Sequence, residues 1–107
     1  MGMVLSLVRG TIADERLHEV TDPYRAALRG GPPPPISATY LLTGIDGSVA
    51  IATVWHDRAD LDALIATGEE PFARRLIREA GGTPTVEFFD VVAAALSAAP
   101  PEAGRQA

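Results

Sequence analysis

SVAIATVWHDRADLDALI, Ser48 to Ile65, reads as a strand, a strand-ending tryptophan, an acidic turn and an amphipathic helix. Val49, Ile51, Thr53 and Trp55 alternate onto one face of the strand; Ala50, Ala52 and Val54 take the other. Both faces are apolar, which predicts a central strand covered on each side. Asp57 stands where a helix N-cap belongs, and Leu61, Leu64 and Ile65 recur at helical spacing.

Upstream, Gly44-Ile45-Asp46-Gly47 predicts a hairpin turn. Before it, residues 36–43 alternate, with Ile36, Ala38, Tyr40 and Leu42 on one side and Ser37, Thr39, Leu41 and Thr43 on the other. Pro32 to Pro35 predict a stiff extended connector. Residues 3–12 are apolar and rich in branched side chains, a first strand. A helix is expected from about Asp14, with Leu17, Val20, Tyr24, Ala27 and Leu28 as its buried stripe. Pro23 falls inside it, so a kink or break near Thr21–Asp22 is expected, and Gly30-Gly31 ends it.

Downstream, Gly68 interrupts the second helix and Glu69-Glu70-Pro71 restarts it. Phe72, Leu76, Ile77 and Ala80 continue its buried face until Gly81-Gly82. Residues 85–93 form the last strand, with Val86, Phe88, Asp90 and Val92 opposite Glu87, Phe89 and Val91. Residues 1–93 thus make one domain, and residues 94–107 an Ala/Pro-rich tail, flexible or an arm onto a partner.

The order β-α-β-β-α-β predicts an α+β, ferredoxin-like fold with an antiparallel sheet and its helices on one face. The other face also carries large apolar residues. A second copy of the chain is the nearest source of a cover, so a homodimer packed sheet on sheet is expected.

Composition narrows the chemistry. The net charge of −5 disfavours nucleic acid and anionic membrane surfaces as partners. With no Cys in the 107 residues, thiolate nucleophiles and disulfides are excluded. No Lys is present, so the side chains offer no Schiff base. The histidines and acids show no metal-binding spacing, and no metal is expected. No apolar run reaches the ~20 residues of a membrane helix, and the start has no basic region ahead of its apolar stretch; the expected location is cytoplasmic.

Trp55 with its polar turn His56-Asp57-Arg58, the helix that follows and the terminal VEFFDVV resemble the dimeric α+β barrel superfamily, within it the antibiotic biosynthesis monooxygenase-like (ABM) domain. The resemblance spans roughly residues 4–92. It implies a homodimer with a pocket between helices and sheet in each subunit. It implies cofactor-independent oxygenation of aromatic, often polyketide-derived, molecules; related folds are polyketide cyclases or have no known chemistry. Haem-degrading members use a Trp and a His where this chain has Leu64 and Ala73, so haem degradation is not expected. The characterised oxygenases rely on a pocket Asn, and this chain contains none.

The leading expectation is therefore an ABM-like monooxygenase without cofactor, acting on a small apolar or aromatic molecule. The alternatives are a cyclase or isomerase in the same cavity, and a non-catalytic ligand-binding dimer. Catalytic candidates are His18, near the edge of the first helix's buried stripe; Asp90, which would act as a base if buried behind two phenylalanines; and Tyr40, through its hydroxyl. Tyr40, Thr53, Trp55, Leu64, Phe72 and Phe88 are the candidate substrate-binding residues. Against these stand plainer roles: surface histidines at His18 and His56, an ion pair of Arg9 with Glu87 or Asp90, a solvated Arg74-Arg75-Arg78 face, and packing for the aromatics.

Overall fold

The computed structural model describes residues 2–95. The strands are β1 (Val4–Thr11), β2 (Ile36–Thr43), β3 (Ser48–Trp55) and β4 (Thr85–Asp90), and the helices are α1 (His18–Ala27), α2 (Arg58–Ala66) and α3 (Phe72–Glu79). All pairings are antiparallel, in the order β2-β3-β1-β4. This is the ferredoxin-like α+β arrangement, with β3 and β1 central. Most of the predicted tail, residues 96–107, lies outside the described residues.

Local chemistry explains the hairpin. Asp46 and Gly47 both have positive φ, 56° and 78°, the geometry of a type I′ turn, whose twist matches that of the flanking strands. The Ser48 amide donates to Ile45 O at 3.0 Å, and Gly44 N to Ser48 O at 2.9 Å. At the start of α2, Asp57 accepts a hydrogen bond from Ala59 N at 3.0 Å, filling one of the helix's orphan donors.

Three local expectations are corrected. Helix α1 runs unbroken through Pro23, and the discontinuity comes earlier, between a single 3-10 turn at Asp14–Arg16 and His18. Val20 and Tyr24, one turn apart and both buried, hold the helix onto the core across the donor that Pro23 lacks. The last strand stops at Asp90, although Val91 N still donates to Met3 O at 3.0 Å. In β2 an irregularity lies between Ile36 and Ala38. The extra residue throws Ile36 onto the face shared by Thr39 and Leu41, while Ala38, Tyr40 and Leu42 take the opposite face.

One face of the sheet is covered by helices. Its core is Val8, Ile12, Val20, Tyr24, Val49, Ile51, Leu76, Ile77 and Ala80. This core fills only the half of the sheet beneath α1 and α3. The opposite face carries Leu5, Leu7, Ala38, Tyr40, Leu42, Ala50, Ala52, Val54 and Phe89 by register. Tyr40, Leu42 and Phe89 stand about half exposed there. Arg9 and Glu87 join on that face at 2.6 Å, the ion pair expected of a strand-interior arginine. Among the described residues no helix is long and apolar enough to cross a membrane.

A Cβ at Gly47 would meet Ile12 O at 2.5 Å, with φ already at +78°. Gly47→Ala should therefore destabilise by about 1–3 kcal/mol, whereas Gly30→Ala, with nothing within 4 Å, should stay within about 0.5 kcal/mol; urea unfolding of the two variants measures both. The Glu70 carboxyl is held below the usual range, first by its hydrogen bond from Arg78. Its stabilisation is present above the unfolded-state value and lost as pH falls through the folded one. Arg78→Ala should make the acid-side fall in melting temperature shallower, as a comparison of pH 6 with pH 3 will read.

Candidate functional site

The antiparallel register writes three rows across all four strands of the helix-covered face. Leu41, Ile51, Val8 and Val86 form an apolar row inside the core. Ile36, Trp55, Val4 and Asp90 form the row at the far end. Between them run Thr39, Thr53, Ser6 and Phe88: three hydroxyl-bearing residues side by side, closed by a phenylalanine. Polar residues at three adjacent positions of a core face are costly unless they are hydrogen-bonded.

They are bonded, and the bonds extend off the sheet. Tyr24 reaches down from α1 so that its Oη lies 2.9 Å from Thr39 Oγ1. Thr39 Oγ1 lies 3.2 Å from Thr53 Oγ1. At the other side, Trp55 Nε1 donates to Ser6 Oγ at 3.2 Å. Ser6 and Thr53 are each only 8% exposed. No buried side-chain nitrogen or oxygen among the described residues lacks a partner.

The aromatic side chains of this face are less covered than its hydroxyls. Phe88 shares its strand face with Val86, which packs on the core, yet it remains 44% exposed. Phe72 at the start of α3 is 39% exposed, and Trp55 and Leu64 are half-buried. Phe88 stands on the edge strand β4 and Phe72 at the first position of α3, so both lie at the margin of the cover. The face thus combines a buried polar strip with accessible aromatic side chains at its margin, the two kinds of group that small-molecule sites use. Two surface depressions of about 440 and 180 Å³ lie at the other end of the sheet, around Gly10, Gly82 and Ser48 and around Ile12 and Gly44. Glycine, threonine and backbone dominate them, and neither holds a candidate residue.

Of the residues singled out in the sequence, Thr53, Trp55 and Phe88 meet on this face, and Leu64 and Phe72 come from the helices that cover it. The catalytic candidates are not brought there. Tyr40 lies on the opposite face, 55% exposed, because it pairs with Ala52 and so takes the open side with Ala38 and Leu42. His18 is exposed at the first turn of α1, and His56 is exposed at the bend after β3. Asp90 sits at the open rim of the end row rather than in a buried setting, and takes a hydrogen bond from Arg58 Nη1 at 3.1 Å. Ser6, Tyr24 and Thr39 had not been counted as site residues. Their signal was a hydroxyl in an alternating apolar strand, and a phenol at the buried end of a helical stripe.

The Glu19 carboxyl is held below its usual range, first by its hydrogen bond with Arg16. Arg75 stacks over Phe72 at 5.5 Å, and Arg78 of α3 pairs at 2.7 Å with Glu70 in the connection before that helix. Among the described residues no cluster of three or more His, Cys, Asp or Glu could hold a metal ion.

Comparison of the sequence with family models and with curated proteins gives no match. Comparison of the fold does. A protein of unknown function from Nitrosomonas europaea superposes with TM-score 0.65 at 17% identity, covering 92% of this chain and 98% of the other. A putative antibiotic biosynthesis monooxygenase from Caulobacter crescentus gives 0.62 at 18%, covering 86% and 92%. SnoaB, a cofactor-independent oxygenase from Streptomyces nogalater, solved as an asparagine-to-alanine mutant, gives 0.58 at 17%, covering 92% and 98%. The chain has the fold of the ABM-type proteins.

Ser6→Ala removes the acceptor for the part-buried Trp55 N–H, and should cost about 1–3 kcal/mol. Thr53→Val removes the partner of the Thr39 hydroxyl, but Thr39 is only half-buried and stays bonded to Tyr24, so it should cost about 1 kcal/mol or less. Equilibrium urea unfolding will separate the two.

Proposed function

We propose that the chain binds a small aromatic or polyketide-type molecule over the hydroxyl row and oxidises it as a cofactor-independent, ABM-like monooxygenase. The observation that carries this reading is the row itself, a buried polar strip beside a partly open aromatic wall. The fold, shared with SnoaB and the Caulobacter protein, supports it. Trp55, Leu64, Phe72 and Phe88 would face the ring system, and the hydroxyls would meet its oxygen substituents.

The chemistry follows from what the row contains. Among Thr39, Thr53, Ser6 and Tyr24 there is no group whose ordinary pKa lies near neutrality. The substrate must therefore supply its own acidity, as an anthrone-like phenol does through its enolate. Dioxygen takes electrons from that anion, and the ring CH₂ becomes C=O. One oxygen atom enters the carbonyl, and the other leaves as water with the two ring hydrogens. A cyclase or isomerase is less well served, because His18 and Asp90 stand at the exposed surface.

The second element of the proposal is a homodimer. Leu5, Leu7, Tyr40, Leu42 and Phe89 share the helix-free face, and a second sheet laid on it would bury them. An isologous pair of such faces closes on itself and leaves no apolar surface to propagate.

Two measurements test the reading. Oxygen-electrode traces with a panel of anthrone-type phenols should show protein-dependent uptake of one dioxygen per ketone formed; no uptake across the panel would sink the oxygenase. Sedimentation at micromolar concentration should give twice the chain mass, and Leu42→Glu should shift it to the monomer mass. A monomeric parent protein would refute the dimer.

A further inference from the structure

We infer that Ser6 and Thr53 form a two-donor fork that holds one oxygen of the bound molecule in its anionic form, with Tyr24 setting the direction of the hydroxyl chain that feeds it. This rests on the reading above only in placing the ligand over the hydroxyl row.

The argument is a count of protons. Tyr24, Thr39 and Thr53 bring three hydroxyl protons to two links, so one proton is left outside the chain. Which end carries it depends on acidity. A phenol, with pKa near 10, is a better donor and a poorer acceptor than an aliphatic alcohol. Tyr24 therefore donates to Thr39, Thr39 donates to Thr53, and the surplus proton sits on Thr53. Ser6 is fixed in the same sense by a different residue. An indole N–H only donates, so the Ser6 oxygen accepts from Trp55 and keeps its own proton.

Ser6 and Thr53 are register partners on β1 and β3, so their Cβ atoms stand about 4.5–5.5 Å apart on one face. They are not hydrogen-bonded to each other. An oxygen seated between them can accept from both. Each residue is more than nine-tenths buried, so water competes weakly and a donor pair aimed at a charge gains strength. The row contains no carboxylate to repel an anion, and Asp90 in the neighbouring row is engaged by Arg58. The fork would select ligands that present a phenolate or enolate oxygen at the edge of an apolar ring. It would take over the polar contact that a carboxamide could make, in a chain that has no asparagine.

The probe is 4-nitrophenol, whose anion is coloured, titrated with excess full-length protein. Binding to the parent protein should lower its apparent pKa by about one to two units, the effect of one or two charge-assisted hydrogen bonds. Thr53→Val and Ser6→Ala should each return most of that shift, while Thr53→Ser should retain it. Tyr24→Phe should give an intermediate value, because Thr39 and Thr53 then share one link with no preferred direction. No shift with the parent protein, or the same shift in Thr53→Val and Ser6→Ala as in the parent, overturns the fork. Should Ser6→Ala fail to fold, Thr53→Val against Thr53→Ser decides alone. The oxygenase reading fails separately: a normal shift with no dioxygen uptake keeps the fork and removes the oxidation, and uptake with an unshifted probe does the reverse.

Discussion

Because β3 is hydrogen-bonded along both edges, the parity of its eight residues sets the make-up of every row that crosses the sheet. A strand's side chains alternate with period two, so its register cannot slip by one residue without exchanging its faces. Here Val49, Ile51, Thr53 and Trp55 go to the helices, and Ala50, Ala52 and Val54 to the open side. The type I′ turn at Asp46-Gly47 locks β3 against β2, and Gly47 O accepts from Ile12 N at 2.9 Å, tying the same turn to the end of β1. The hydroxyl row, the aromatic wall beside it and the apolar open face are all consequences of that one register.

The helix layer then divides the covered face into two environments. Under α1 and α3 the side chains are small or branched and closely packed, with Val20, Val49 and Ile77 essentially inaccessible. Helices α2 and α3 are joined through Gly68, which has φ of +77°. A continuous helix across this stretch could have laid one apolar stripe along the sheet. The break separates Leu61, buried on α2, from Leu76 and Ile77, buried on α3, and leaves Phe72 and Phe88 partly bare. Burial reaches the end row too, where Val4 is inaccessible, and Leu61 of α2 is buried, so the accessible apolar side chains of this face include mainly those at its margin, Phe88 on the edge strand and Phe72 at the start of α3.

Much of this was legible in the chain. The alternation around Thr53, the strand-ending Trp55, the Asp57 cap and the Asp46-Gly47 turn are local signals, each with a local physical cause. The placement of Ile36 was not legible, because alternation carries through a strand only if no residue is inserted, and the irregularity before Ala38 has no strong sequence mark; Tyr40 keeps its grouping with Ala38 and Leu42, and its pairing with β3 decides which face that group takes. Asp90 looked like a buried base because it follows two phenylalanines. Its environment depends on Arg58, 32 residues away and brought near only by the fold. Ser6 was missed for a related reason. A serine in an apolar strand is unremarkable until its neighbours across the sheet are known to be Thr53 on one side and Phe88 on the other.

The absence of asparagine acquires a different meaning once the rows are known. A carboxamide brings two donors and an acceptor on one side chain, and it can serve an oxygen substituent alone. Hydroxyls bring one donor each, and a buried hydroxyl bonded to a single neighbour is ambiguous in direction. Two residues remove that ambiguity here: Tyr24, by its greater acidity, and Trp55, which can only donate. Each sits at one end of the polar row and presses its hydrogen bond inward. What a single asparagine would do with one side chain, this fold would do with hydroxyls from three strands in register and two aromatic donors. Such an arrangement has a structural cost, since each hydroxyl must be buried and bonded before any ligand arrives. It also has a consequence for evolution of the site: changing one member of the row alters the direction of the bonds as well as their number.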